Sequence, residues 1–355
     1  MITPHIYHIT GQTPICSETP WRIKWNTIYS LPPYENNSKN KGVAGAFSGY
    51  IDNELIVAGG AYFPDKTPWD GGKKHWTETL YQARVNQPTS DWKTTVNFLP
   101  QGLAYGVSIQ LPEGVLCIGG CNAKQCFNDV FLICKEEGVY KISSDWPSLP
   151  VPLANATGKL LGNKIYIAGG QESMREETAT VHFFVLDIKD KERGWQSLPS
   201  WPGAPRGYAV SAAFEKGAEN RFYLFSGRNY NATGYVKMMT DGFVYDCNTG
   251  TWTILPNSFP VMAGTAITMQ NAIVFFGGVT DIIPSSDAHP GFSNTMRIYD
   301  VEKKEFIHQE ELPFSVPVTT NIAIKENRFY ITSGEIKPGI RTPLIFEGEI
   351  IPFGE

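Results

Sequence analysis

Short apolar runs that end in a pair of small residues recur along the chain. Six of them occur: LIVAGG ending at Gly60, VLCIGG at Gly120, IYIAGG at Gly170, FYLFSG at Gly227, IVFFGG at Gly278 and FYITSG at Gly334. The steps between them are 60, 50, 57, 51 and 56 residues. Short apolar runs rich in β-branched and aromatic residues and bounded by glycine indicate buried β-strands. The pattern therefore predicts six similar β units.

A second marker, an aromatic residue followed by Leu-Pro, runs in phase with the first. Its members are Trp25/Leu31-Pro32, Trp92/Leu99-Pro100, Trp146/Leu149-Pro150, Trp195/Leu198-Pro199, Trp252/Leu255-Pro256 and Phe306/Leu312-Pro313. An aromatic strand such as FVYD at 243–246 lies between the two markers. Each unit is therefore predicted to hold four strands, from a small-residue inner strand to an outer strand that carries the Trp.

A repeat of about 50 residues is typical of the kelch-type propeller blade. We predict an all-β protein, a six-bladed kelch-type β-propeller that forms one domain over 1–355. The last unit lacks its Trp strand, whereas an orphan strand, WRIKWNTIYSLP at 21–32, precedes the first unit. We therefore expect this N-terminal strand to close the last blade and cover its edge. The predicted blades are about 42–100, 101–150, 151–199, 204–256, 260–313 and 314–351.

Charge and composition narrow the classes of function. The net charge of -5 argues against a nucleic-acid partner, which normally requires a basic surface. No stretch approaches the roughly 18 apolar residues of a membrane span. The N-terminus has neither the basic nor the apolar region of an export signal. This indicates the cytoplasm, or the periplasm if a signal was removed. The six cysteines lack metal-ligand spacing and are predicted to be buried or loop thiols.

The strands predicted to line the central channel are rich in Gly, Ala, Ser and Thr, as expected near a crowded axis. Tyr105, Asn155 and Arg206 are the larger polar residues among them. An arginine at a channel mouth is costly unless an anion lies near it. Arg206 is therefore a candidate for binding an anionic ligand, and the alternative is a salt bridge to a neighbouring loop.

The densest group of ionisable residues follows the sixth glycine marker, in SGEIKPGIRTP at 333–343. Pro338 and Gly339 form a turn dipeptide, which predicts that Glu335 and Arg341 approach each other. Two interpretations are open. One is a surface salt bridge on a loop, and the other is a carboxylate acid/base beside a clamp for anions.

This segment resembles the G-E-x-K-P-G-x-R motif of the bacterial N-acetylneuraminate epimerases, the kelch-repeat sialic acid mutarotases. The likeness extends over most of the chain, through GVAGAFSGYIDNELIVAGGAYF at 42–63, QGLAYGVSIQLPEGVLCIGG at 101–120, APRGYAVSAAF at 204–214 and FPVMAGTAITMQNAIVFFGG at 259–278. In the usual family member the motif lies mid-chain and the GVAG blade follows it. Here the GVAG blade comes first and the motif last, so the chain resembles a circularly permuted branch.

The resemblance implies a catalytic role for Glu335 and Arg341. It implies an isomerase that interconverts the α and β anomers of N-acetylneuraminate by acid–base opening and closing of the sugar ring. The expected partner is a small acidic sugar, assembly as a homodimer is one option, and no metal or redox cofactor is expected. The candidate substrate-binding residues are Arg206, Lys337, Tyr105 and Asn155.

Other classes of protein stay open. The main alternative is a non-catalytic kelch module that binds a protein or a sugar, because fold alone does not determine function. A sialidase would carry S-x-D-x-G-x-T-W boxes, and the nearest string, YDCNTGTW at 245–252, does not fit them. An enzyme like galactose oxidase would need copper ligands with suitable spacing, which we do not find.

Overall fold

The computed structural model describes residues 7–8, 19–34, 38–85, 92–173, 179–230 and 234–352. In these ranges the chain forms six antiparallel sheets of four or five strands, arranged as the blades of a β-propeller. The sequence prediction of an all-β, six-bladed propeller is therefore confirmed. No helix in the described part of the chain has the length and apolar character needed to cross a bilayer.

Each blade runs from an inner strand at the channel to an outer strand. The strands of blade 1 are Phe47–Ile51, Glu54–Ala58, Leu80–Ala83 and Lys93–Thr95. Those of blade 2 are Val107–Leu111, Gly114–Ile118, Val130–Glu136 and Val139–Ser143. Those of blade 3 are Thr157–Leu161, Lys164–Ala168, Phe183–Asp187 and Gln196–Ser197.

The remaining blades follow the same order. The strands of blade 4 are Val210–Lys216, Glu219–Phe225, Gly242–Asp246 and Thr251–Ile254. Those of blade 5 are Thr265–Met269, Ala272–Phe276, Thr295–Asp300 and Glu305–Glu311. Those of blade 6 are Ile322–Lys325, Arg328–Lys337 and Ile340–Pro352, followed by Trp21–Ser30 and Tyr7–His8 from the N-terminal part of the chain.

Blade 6 is closed by the N-terminal strand, as the sequence predicts. Trp21–Ser30 pairs antiparallel with Ile340–Pro352, and the register runs from Trp21 opposite Pro352 to Ser30 opposite Leu344. Trp25 is 3% exposed and packs edge-on against Phe276, Phe314 and Phe329, with ring centroids 5.8, 4.9 and 5.5 Å away. The closing strand thereby joins blade 6 to the core that it shares with blade 5.

The position of the aromatic marker in the outer strands needs correction. The outer strand of blade 2 is Val139–Ser143, and Trp146 lies in the loop after it, while Trp92 and Trp195 directly precede the outer strands of blades 1 and 3. Short elements also lie outside the six blade sheets. These are the ribbons Ala61–Tyr62 with His75–Trp76 and Arg228–Tyr230 with Val236–Met238, and the 3-10 turns Pro68–Asp70 and Lys191–Arg193.

The hydrophobic core is divided among the blade interfaces. Large apolar side chains of neighbouring blades meet in six clusters, one for each pair of adjacent blades. Between blades 6 and 1, for example, Tyr330 packs against Tyr50 with ring centroids 5.4 Å apart. Because these clusters of the described residues lie between blades, each blade is stabilised mainly by its two neighbours.

A closed ring of backbone hydrogen bonds surrounds the channel at one end of the inner strands. Each blade supplies one residue, whose N–H donates to the carbonyl of the equivalent residue in the preceding blade, at distances of 2.6 to 2.9 Å. All six have positive φ, between 47° and 69°. We call these residues the ring: Gly45, Tyr105, Asn155, Tyr208, Ala263 and Thr319.

Truncation of Trp25 tests the closure of the propeller. We expect Trp25→Ala to lower the free energy of unfolding by about 3–5 kcal/mol, as is usual for a buried aromatic residue. Urea unfolding followed by circular dichroism measures this loss. Trp69→Ala is the control, because Trp69 is partly exposed and lies in the insert of blade 1 (61–78). Equal effects of the two substitutions would contradict the described packing of the closing strand.

Candidate active site

Six equivalent residues, one in each blade, form the mouth of the channel. In each blade this residue directly follows the pair of small residues. It forms an antiparallel bridge with the residue just before the ring residue, as Ala61 does with Ala44, next to Gly45. Equivalent positions in the blades lie at the same end of the channel, so these side chains share one face. We call them the rim: Ala61, Cys121, Gln171, Arg228, Val279 and Glu335.

The hairpin of blade 6 brings Glu335 and Arg341 together. Glu335 lies directly opposite Arg341 in the register, and the chain reverses at Pro338 and Gly339. Gly339 has a φ of 76°, a conformation that glycine adopts without strain. Proline followed by glycine at positive φ is the signature of a type II turn. The approach predicted from the sequence is therefore present.

A carboxylate and a guanidinium form an ion pair at this rim position. Glu335 Oε1 lies 3.0 Å from Arg341 Nη1 and accepts a hydrogen bond from the Gly339 N–H at 2.5 Å. The Glu335 side chain is 16% exposed, and that of Arg341 is 2% exposed. The other oxygen, Oε2, accepts no hydrogen bond from the residues that the structure describes. One face of the carboxylate is thus fixed and the other is available.

Arg341 is held in place from blade 1. Its Nε donates to the Ala61 carbonyl at 3.2 Å, and its guanidinium lies 4.8 Å from the centroid of the Phe63 ring. Nη1 is close to Glu335 but is not aligned for a hydrogen bond, so its donor capacity is unused by the described residues. Arg341 also lines an outer cleft of about 380 Å³ whose charged residues are Lys39, Lys41, Lys66 and Asp65. The excess of cations favours an anionic ligand.

The long inserts of blade 1 (61–78) and blade 5 (279–294) flank the hairpin. Gly339 lies against Pro68 of the blade 1 insert, and the Phe292 N–H of the blade 5 insert donates to the Ile336 carbonyl at 3.0 Å. Lys337 lies on the side of the blade 5 insert, near His289. Burial, and then the charge of Lys337, lower the pKa of the His289 imidazole. Lys337 therefore lies on the hairpin near the ion pair, within electrostatic range of the neighbouring insert.

Tyr105 and Asn155 are ring residues and line the central channel, together with Tyr208. The channel has a volume of about 140 Å³. The Asn155 side-chain amide donates to Gln171 Oε1 at 3.0 Å, so this ring residue is tied to the rim residue of its own blade. Glu335 and Arg341 are not part of the channel lining and lie at its outer edge.

Lys74 of the blade 1 insert connects the ion pair to the channel. Its ammonium group lies 5.9, 5.6 and 5.2 Å from the ring centroids of Phe63, Trp76 and Tyr105. Phe63 in turn contacts Arg341. The structure thus places Arg341 and Tyr105 on two sides of one cluster of aromatic rings and cations.

Arg228 is a rim residue that the sequence analysis missed. Its guanidinium lies 4.3 Å from the Tyr208 ring centroid and 5.2 Å from that of Tyr230. No carboxylate of the described residues forms an ion pair with it. A comparison of the residues that directly follow each small pair would have singled out Arg228 and Glu335 as the charged members of the set.

Arg206 is placed differently from the other candidates. It is fully buried and makes a two-pronged contact with Asp241, at 2.7 and 3.1 Å. It also donates to the carbonyls of Ala204 and Ser226. These contacts join the start of blade 4 to the turn before its third strand. They favour a structural role for Arg206. We therefore leave Arg206 out of the proposed binding set.

Lys159 crosses the channel from the inner strand of blade 3. Its Nζ donates to the Ala266 carbonyl of blade 5 at 3.3 Å. No carboxylate of the described residues lines the channel. Burial lowers the pKa of the Lys159 ammonium group to about 8. The channel thus holds a cation without a counter-charge from the described part of the chain.

Fold and site together define a kelch-type propeller with an ionic cluster at one mouth of its channel. The model of the N-acetylneuraminate epimerase family matches residues 10–140 and 146–286, which is more than half of the chain. The chain therefore belongs to the N-acetylneuraminate epimerase family. The match ends at residue 286, so the segment that holds Glu335 and Arg341 lies beyond it.

Curated relatives carry the same name. The chain is 25% identical over 239 residues to the N-acetylneuraminate epimerase of Haemophilus influenzae (strain 86-028NP). This alignment covers 59% of this chain and 60% of that relative. It is 27% identical over 238 residues to the N-acetylneuraminate epimerase of Yersinia pestis (strain Pestoides F), and this alignment covers 58% of this chain and 58% of that relative. The chain thus spans about 60% of the length of the curated relatives that it matches.

The cation that lines the channel, Lys159, gives stability a pH dependence of defined sign. The pKa of Lys159 is about 8 in the folded protein and 10.5 for an ordinary lysine. Between these values the unfolded chain binds a proton that the folded one does not, so this group makes stability rise with pH. We expect Lys159→Met to stabilise the protein at pH 7 and to have a smaller effect at pH 10.

Urea unfolding of the parent and the variant at both pH values measures the difference. Lys164→Met, in which an exposed lysine of the same blade is replaced, is the control. If the difference in the free energy of unfolding between the parent and Lys159→Met is the same at pH 7 and pH 10, the pKa of Lys159 is not lowered in the folded protein.

Proposed function

We propose that the protein interconverts the α and β anomers of N-acetylneuraminate at the rim of the channel. The observation that carries the proposal is the Glu335 carboxylate, fixed by Gly339 and Arg341 through Oε1 while Oε2 has no partner among the described residues. Membership of the epimerase family and the names of the relatives support the class of enzyme and the substrate.

The chemistry of the sugar requires a proton shuttle. N-acetylneuraminate is a 2-keto acid closed as a cyclic hemiketal. Its ring opens when the anomeric hydroxyl loses a proton and the ring oxygen gains one, and rotation of the carbonyl followed by closure gives the other anomer. A carboxylate that takes the first proton becomes the acid that delivers it, so Glu335 Oε2 serves both directions.

Arg341 is assigned to the same catalytic unit. Its contacts with the Ala61 carbonyl and the Phe63 ring fix the guanidinium, which in turn holds the carboxylate of Glu335. Nη1 is buried beside Glu335 Oε1, so the charge of Arg341 acts on the sugar through the carboxylate that it positions. A charge that is already fixed beside the carboxylate needs no reorganisation during the reaction.

Arg228 is proposed as the anchor for the carboxylate of the substrate. A planar guanidinium binds a carboxylate through two parallel hydrogen bonds. The stacking on Tyr208 and Tyr230 orders the Arg228 side chain, and its donors face no carboxylate of the described residues. Lys337, Tyr105 and Asn155 complete the proposed binding set around the hydroxyl and N-acetyl groups.

Replacement of the shuttle tests catalysis. Glu335→Gln keeps the shape of the side chain but cannot take up and return a proton. We expect the enzyme-catalysed rate of anomer exchange to fall by about 10²–10⁴-fold. Exchange is measured by saturation-transfer NMR, above the spontaneous mutarotation in buffer and at a pH where that reaction is slow.

The control for this experiment is Glu113→Gln, which changes an exposed carboxylate in a turn of blade 2. It should exchange the anomers as fast as the parent. Parental activity of Glu335→Gln would contradict the catalytic assignment. If the parent does not accelerate exchange of N-acetylneuraminate or of other 2-keto sugar acids, the isomerase proposal is wrong and the binding module becomes the leading alternative.

Substitution of Arg228 tests substrate anchoring. Arg228→Gln removes the charge and the fork of donors but leaves Glu335 in place. Because a hydrogen bond to a charged group contributes about 1.5–3 kcal/mol, we expect KM to rise about 10- to 100-fold with a smaller change in kcat. Arg193→Gln, at an exposed position of blade 3, is the control. An unchanged KM would remove Arg228 from the site.

A further inference from the structure

Two cysteines face each other across a short hairpin at the rim of blade 2. Cys121 is the rim residue, and Cys126 forms an antiparallel bridge with it. The Asn122 N–H donates to the Gln125 carbonyl at 3.0 Å, and the Phe127 N–H donates to the Gly120 carbonyl at 2.8 Å. These bonds flank the two cysteines without joining them, so the cysteines are a non-hydrogen-bonded pair.

The geometry of such a pair suits a disulfide. The Cα atoms of a non-hydrogen-bonded antiparallel pair lie about 4.5 Å apart, with their side chains on the same face. Disulfides span Cα separations of about 4.4–6.8 Å. Closure therefore requires rotation of the two side chains and no displacement of the backbone.

The two thiols interact before any oxidation. A hydrogen bond with the Cys121 side chain lowers the pKa of the Cys126 thiol, and the Ala154 N–H lowers it further. The same contact and burial raise the pKa of the Cys121 thiol. Because the thiolate is the nucleophile in disulfide exchange, Cys126 is the thiol that reacts first.

Access from solvent also favours Cys126. It is 6% exposed, whereas Cys121 is 1% exposed. Cys126 lines an open cleft of about 410 Å³, together with Lys124, Gln125 and Glu172. Cys117 and Cys134 are buried in the cores beside blade 2 and lie opposite other residue types on the neighbouring strands.

We propose that Cys121 and Cys126 form a redox modification site, a dithiol that a low-molecular-weight disulfide converts to an intramolecular disulfide. The Cys126 thiolate attacks one sulfur of the small disulfide, which breaks its S–S bond, forms a mixed disulfide and releases one thiolate. Cys121 then gives up its proton and attacks the Cys126 sulfur, which releases the second thiolate. Two protein thiols are oxidised, one small disulfide is reduced to two thiols, and both protons pass to these products.

The site lies beside the mouth of the channel. Cys121, Cys126 and Ala154 form one buried cluster, against which Tyr105 packs. Tyr105 is a ring residue and lines the channel. Oxidation therefore fixes the hairpin 121–126 behind a channel-lining side chain. The formation of the disulfide can be tested without any assumption about the reaction that the protein catalyses.

Peptide mapping of the folded protein tests the proposal directly. The protein is treated with oxidised glutathione, its remaining thiols are blocked with iodoacetamide, and it is digested with trypsin without reduction. Lys124 lies between the two cysteines, so cleavage after it separates peptide 94–124 from peptide 125–135. We expect the two peptides to stay joined, and fragmentation to assign the bond to Cys121 and Cys126 instead of Cys117 and Cys134.

Two variants separate the steps. Cys121→Ala lacks the second thiol, so we expect it to stop at a glutathione adduct on Cys126. Cys126→Ala should form neither the adduct nor the joined peptides, and Cys247→Ala should behave like the parent. Cys16 lies outside the described residues, and the peptide map shows whether it reacts.

Three outcomes would overturn the proposal. One is that the folded protein yields no joined peptides. The second is that they form only after unfolding in urea, which would show that the native cleft gives no access. The third is that Cys121→Ala acquires no adduct, which would show that Cys126 is not the attacking thiol.

Discussion

The propeller depends on a closed circle of six backbone hydrogen bonds at its axis. Each bond joins neighbouring blades, and the one from Gly45 to Thr319 joins the first blade to the last. The circle requires a left-handed backbone in every blade, which costs an L-residue about 1–2 kcal/mol. Five of the six ring residues carry a side chain and bear this cost. The hydrogen bonds and the packing between blades must offset it.

Because the circle uses only backbone groups, it places little restriction on side chains. Ring residues as different as Gly45, Tyr105 and Thr319 take the same role. The rim residues beside them are equally diverse, from Ala61 and Val279 to Arg228 and Glu335. The scaffold thus presents six positions around one mouth whose chemistry can change without loss of the fold. Two of them carry the opposite charges that the proposed reaction uses.

Local signals were enough for most of the fold. The small pairs and Leu-Pro markers predicted six sheets and the closing strand, and the Pro-Gly dipeptide predicted the approach of Glu335 to Arg341. They do not identify partners that come from distant segments. Arg206 meets Asp241 from 35 residues away, and Lys159 reaches Ala266 in another blade. The circular permutation and the domain limits stay predictions. The family match ends at residue 286, as a circular permutation would allow.

The closing strand has a consequence for the order of folding during synthesis. Trp21–Ser30 leaves the ribosome before blades 1 to 5 are made, but its partner, Ile340–Pro352, is made after them. Domains fold as their segments emerge, and pairings between distant segments form slowly. Blades 1 to 5 can therefore assemble while an aromatic strand waits unpaired. The nascent chain then exposes a sheet edge and Trp25 until translation reaches blade 6, and in that interval it is open to chaperones and to aggregation.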